Sequence, residues 1–86
     1  MIFRLSRHAQ WQLARRRIPL ELLEEVLERP EQTIAESGGK TILQSRLAFP
    51  DGKVHLLRAV VDEDKDPPVV VTVYRTSKIA KYWRPE

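Results

Sequence analysis

Val69-Val70-Val71-Thr72-Val73-Tyr74-Arg75 is the most apolar and β-branched window of the chain. Four of its seven residues are Val. The branched Cβ of Val suits a pleated sheet and loses rotamer freedom in a helix. The stretch therefore reads as the central strand of a sheet. Strict alternation sends Val69, Val71 and Val73 to one face and Val70, Thr72 and Tyr74 to the other. The first face is expected to pack on helices. The second is expected to present a hydroxyl and a phenol beside Arg75.

Working outward from that strand, the residues before it read as further strands. Thr33 to Glu36 is a short one, and Gly38-Gly39 is a hairpin signal, because Gly enters positive φ without steric cost. Lys40 to Phe49 is a long strand. Pro50-Asp51-Gly52 makes a turn, Lys53 to Asp62 is the next strand, and the charged loop Glu63-Asp64-Lys65-Asp66 closes on Pro67-Pro68. Short turns of this kind imply an antiparallel meander. His55 has the parity of Leu57, Ala59 and Val61, so it is expected to face the core. Arg58 has the opposite parity, with Leu56 and Val60, and marks the other face.

The first third reads as helical. Ile2 to Leu5 is an extended lead-in, and Ser6 is an N-cap for a helix from Arg7 to about Arg16. Ala9 and Leu13 form its inner stripe. His8, Trp11 or Gln12, and Arg15 form a neighbouring stripe at helical spacing. Ile18-Pro19 ends this helix and starts the next, Leu20 to Arg29, with Leu22, Leu23, Val26 and Leu27 on its apolar face. Ser77 to Trp83, with Ile79, Tyr82 and Trp83 at helical spacing, is expected to be a short helical turn. The expected fold is a single α+β domain spanning residues 1–86: two N-terminal helices on one face of a three- to four-stranded antiparallel sheet, with a short C-terminal helical turn.

The chain has 86 residues and no Cys, and 42% of it is hydrophobic. No disulfide or thiolate metal site supports such a fold. No window approaches the roughly 20 apolar residues of a membrane span, and the first residues lack a signal-peptide core. A soluble protein of a reducing cytoplasm is expected. Net charge is only +3 but uneven. Residues 1–17 hold five Arg and no acid, residues 21–31 hold five Glu, and residues 75–84 hold Arg75, Lys78, Lys81 and Arg84 with no acid. If the basic ends meet, polyanions are their natural partners.

Metal ligation is a weak reading, because His8 and His55 stand without Cys or clustered acids at ligand spacing. The acidic loop at 62–66 lacks the Gly and closing Glu of a calcium loop. There is no Gly-rich phosphate loop and no nucleophile elbow. What remains is His8, the Arg cluster, Thr72, Tyr74, Arg75, Lys78 and Tyr82. RNA carries its own nucleophile in the 2′-OH. Cleaving it requires a proton acceptor, a proton donor and cations for the phosphorane. His, Tyr and Arg can supply all three without a cofactor. The same residues also suit RNA binding without cleavage. A structural protein that pairs through a sheet edge or the Ile79–Trp83 tail is a third reading.

Leu5-Ser6-Arg7-His8-Ala9, Arg16 and Ile18, Val26-Leu27 before Pro30, and Val71-Thr72-Val73-Tyr74 resemble a family of small prokaryotic proteins known as domain of unknown function 4258. That family is similar in layout to RelE-type toxins and, more distantly, to barnase-like ribonucleases. The resemblance implies a RelE-like fold and a metal-independent endoribonuclease of a toxin–antitoxin pair. It implies His8, Arg16, Thr72 and Tyr74 as catalytic positions. Arg15, Arg17, Arg58, Arg75, Lys78 and Lys81 are the candidate contacts to RNA phosphate. The expected partners are RNA, on or off the ribosome, an antitoxin protein, and a second copy of the chain. In two places the chain departs from the pattern: Gln12 stands where Arg is usual, and Arg17 where Gly is usual.

Overall fold

In the computed structural model, which describes residues 2–85, the chain runs β1 (Arg4–Leu5), α1 (Arg7–Arg15), α2 (Leu20–Glu28), β2 (Gln32–Ala35), β3 (Lys40–Ala48), β4 (Val54–Asp62), β5 (Val69–Thr76) and α3 (Ile79–Tyr82). The sheet order is β1-β5-β4-β3-β2. Strands β2 to β5 pair antiparallel, whereas β1 lies parallel to β5 through Arg4↔Val69 and Leu5↔Val70. The expectation of a three- to four-stranded antiparallel sheet is thus corrected to a five-stranded mixed sheet. The physical reason lies at the outer edge of β5, whose backbone groups need partners. The lead-in supplies them, with Arg4 N–H donating to Pro68 O and Ser6 N–H to Val70 O, both at 3.0 Å.

A second correction concerns the alternation in β5. Val60 pairs with Thr72 but the next residue, Val61, pairs with Val70, so Val71 is the extra residue of a bulge. Val70 and Val73 are consequently both buried on the helix side, at 0% exposure. Thr72, Tyr74 and Thr76 point to the opposite face. Arg75, paired with Leu57, is on the helix side and not beside the Tyr74 phenol. Ser6 fixes the bulge, since its hydroxyl donates to Val71 O at 3.2 Å.

The same Ser6 hydroxyl caps α1 by accepting from Ala9 N–H at 3.0 Å. Helix α1 ends in a Schellman arrangement: Arg17 N–H donates to Ala14 O at 3.3 Å and Ile18 N–H to Leu13 O at 3.0 Å. Arg17, between them, is left-handed with φ 50. Ile18 then drops into the core. Helix α2 follows Pro19 and buries Leu23, Val26 and Leu27 against β3 and β4. These side chains, with Ala9, Leu57 and Val73, make one core between the helices and the sheet.

The other face of the sheet is covered. Leu56 and Ile42 are buried there, outside the helix-side core. The covering element is α3 with the residues after it: Tyr82 packs edge-on to Tyr74, and Arg46 lies 4.1 Å from the Trp83 ring centre. Among the described residues no helix is long and apolar enough to cross a membrane.

Candidate functional site

On that covered face, β4 and β5 place Arg58 opposite Tyr74. Arg58 is only 7% exposed. Its Nε donates to Gln44 Oε1 at 2.8 Å, and its Nη1 donates to the Tyr74 hydroxyl. Its guanidinium lies 4.4 Å from the Tyr82 ring centre. Gln44, fully buried, donates in turn to Gln32 Oε1 and to Tyr82 O. Among the described residues the ion pairs are Arg29–Glu25, Arg46–Glu31 and His55–Asp51, so no carboxylate neutralises Arg58. A buried cation is costly unless its donors are met. Here amide and phenol oxygens and an aromatic face meet it instead. Two donors are left over. The Tyr74 oxygen accepts from Arg58, so its own proton points elsewhere. Arg58 Nη2 has no protein acceptor among the described residues and is not sealed from solvent. Thr72 adds a third donor, its hydroxyl, on the same face. Such a set of donors, without an acid, favours an anion.

A second group stands on α1. His8 stacks on Trp11 with ring centres 5.9 Å apart, and the Arg15 guanidinium lies 5.3 Å from the same indole. Trp11 is 54% exposed. Arg7, Arg15, Arg16 and Arg17 are exposed and form no ion pair among the described residues. The helix is pinned along β5 at two points, Ser6 at Val70–Val71 and Gln12 at Val73, whose N–H donates to Gln12 Oε1 at 2.8 Å. Six helical residues rise about 9 Å, and two to three strand residues span roughly 7–10 Å. The helix therefore runs alongside the strand, and His8 stands level with Val71 and Thr72. Among the described residues His8 makes no hydrogen bond to Thr72 or Tyr74. His8 belongs to the helix side of the sheet, whereas Thr72 and Tyr74 face the opposite side. Gln12, expected as an alternative to Trp11 on the stripe neighbouring the inner one, is turned inward and 5% exposed, because Val73 N–H lies beyond the reach of β1.

A third group closes the far end of α1. Arg17, Pro50, Asp51 and Arg75 line a depression of about 360 Å³. Arg75 lies 4.9 Å from the Phe49 ring centre. His55, packed edge-on against Phe49, pairs with Asp51 at 2.9 Å. The His55 hydrogen bond, with Lys53 N–H and then the Arg75 charge, holds the Asp51 carboxyl below the usual carboxylate range. Lys78 and Lys81 are exposed near α3, Lys81 beside the Tyr82 ring.

The candidate residues thus fall into three clusters: Arg58, Tyr74 and Thr72; His8, Arg15 and Arg16; Arg17 and Arg75. Sequence reasoning missed Gln44, Gln32 and Tyr82 as the partners that hold Arg58. Gln44 carries a signal in retrospect, being the only amide directly across the β3–β4 hairpin from Arg58. Among the described residues no three His, Asp or Glu converge as metal ligands would. The family model described as Domain of unknown function (DUF4258) matches residues 5–75, from β1 through most of β5. No curated protein matches the chain, and no solved structure matches it.

Proposed function

The chain belongs to the DUF4258 family, and on that premise we propose that it acts on RNA as a metal-independent, toxin-like endoribonuclease. The observation that carries this reading is Arg58, buried without a carboxylate and donating to the Tyr74 hydroxyl. The Arg58 guanidinium donates to the phenol oxygen, so the Tyr74 hydroxyl proton is directed away from Arg58. In the proposed reaction the 2′-oxygen attacks the adjacent phosphorus and the bond to the 5′-oxygen breaks. His8, level with Thr72, takes the 2′-OH proton. Tyr74 gives a proton to the departing 5′-oxygen, and Thr72 orients the phosphate. Arg15 and Arg16 hold the phosphate charge, with Arg58 behind. The products are a 2′,3′-cyclic phosphate and a 5′-hydroxyl. In this reading the partner is an antitoxin whose acidic segment covers the exposed α1 cations.

One observation favours binding without cleavage. His8 is stacked on Trp11, and that exposed stack flanked by Arg is itself a platform for a base. The deciding experiment is cleavage of a mixed-sequence RNA in excess EDTA, with and without ribosomes. Wild-type protein should cut, and His8→Ala and Tyr74→Phe should each lose about 10²-fold or more. Cutting that survives both substitutions would reject this site. RNA left intact in both assays but bound in a salt-sensitive manner would move the conclusion to the binding reading.

A further inference from the structure

We infer that Arg17 and Arg75 form a second phosphate subsite, over the Pro50–Asp51 turn at the C-terminal end of α1. The inference rests on the RNA reading for its natural ligand, a phosphate of the same strand beyond the scissile one. Four observations converge. The two guanidinium-bearing residues line one depression of about 360 Å³. Neither forms an ion pair among the described residues. Asp51, the one acid in the depression, is already engaged by His55 and by Lys53 N–H. Arg17 sits at φ 50, in the C′ position of a Schellman motif that Gly occupies without strain.

The Arg17 backbone would be more relaxed with Gly there, so the side chain opposes the local preference of the chain. A strained residue at a cluster of like charges points to a role for the side chain. Like charges held in one depression gain from an anion between them, and the forked guanidinium suits the oxygens of a phosphate. Arg75 follows Tyr74 directly but faces the opposite side of the sheet. A strand occupying both sites would therefore bend around the β5 edge, past the end of α1. The packing of Arg75 against Phe49 holds its guanidinium at that end.

Arg17→Gly provides a test in which structure and function move in opposite directions. It should raise Tm while weakening anion binding. Arg17→Lys keeps the charge and should keep most of the binding. The first measurement follows backbone amide NMR shifts on titration with inorganic phosphate. Wild-type protein should shift at Arg17, Asp51, Gly52 and Arg75, and Arg17→Gly should lose those shifts. The second is affinity for a short single-stranded RNA as a function of salt. Arg17→Gly should bind about tenfold more weakly, and Arg17→Gly/Arg75→Ala should flatten the logarithmic salt slope by about 0.7, for the one phosphate that is no longer neutralised. If wild type binds no RNA but phosphate still shifts these amides in an Arg17-dependent way, the subsite stands and the RNA reading falls. The subsite is overturned if phosphate leaves the wild-type amides unmoved, if Arg17→Gly binds as wild type does, or if Arg17→Gly lowers Tm.

Discussion

Gln12 shows how far a single side chain can depart from its place in a pattern. Helical spacing allows it an outward position, yet its amide oxygen is what satisfies Val73 N–H at 2.8 Å on a strand edge that no other strand covers. Whether a polar side chain turns in or out depends on which donors the rest of the fold leaves unmet. That is a tertiary fact, and no local window of sequence contains it. Gln12→Ala should cost about 1–3 kcal/mol, the penalty for leaving a buried N–H without an acceptor, read from urea midpoints. Gln12→Glu, which keeps an acceptor, should recover part of the loss. Asp51 offers a second test at this scale. Its folded-state pKa is lowered by His55 and by Lys53 N–H. The stability it contributes is therefore present above the ordinary carboxylate range and is lost as pH falls through and below that range. Asp51→Asn should destabilise the protein at neutral pH, and the difference should shrink progressively as pH falls below the ordinary carboxylate range, as followed by thermal melts across pH.

Among the elements, the helices and the long strands were legible because each has local punctuation. Ser6, Pro19 and Pro30 bound the helices, and Gly38-Gly39 and Pro50-Asp51-Gly52 separate the strands. The sheet order was not legible. Two residues of β1 carry no periodicity, and their parallel partner lies far along the chain. The bulge at Val71 was hidden for a related reason: alternation assumes an unbroken ladder, and only the partner strand reveals the extra residue. Ser6 joins these features, because one hydroxyl caps α1 and donates to the bulge. Ser6→Ala should cost about 1–2 kcal/mol, and amide exchange should quicken in the first turn of α1 and at Val71 together. Faster exchange in the helix alone would show that the bulge does not depend on Ser6. The candidate site was legible by residue type and not by grouping. His8, Thr72, Tyr74 and Arg58 were identifiable from chemistry, but the bulge and the covering of the second face decide which of them share a surface.

At the scale of the whole molecule, charge and layering follow the same division. Among the described residues the cations of α1 and the Arg17–Arg75 depression form no ion pair and lie beside β5, whereas the carboxylates concentrate on α2 over β3 and β4. The body is flattened, with extents of 35 × 31 × 19 Å, and its thin dimension holds helix, sheet and the α3 cover. Three ion pairs among the described residues are too few and too exposed to hold such a body together. Cohesion comes from the helix-side core, and the unpaired cations remain available to an anionic partner.

The pairing of β1 with β5 also bears on how the protein is made. Ser6 and its acceptor Val71 are 65 positions apart. A ribosome releases the first strand and both long helices well before it releases the segment they must close upon. Until Val69–Thr76 has cleared the exit tunnel, α1 has no strand to lie against and its inner face has no floor. The nascent chain must therefore carry exposed Ala9, Leu13 and Ile18 until then. Completion of the final strand then seats both ends of the domain in one late, cooperative step.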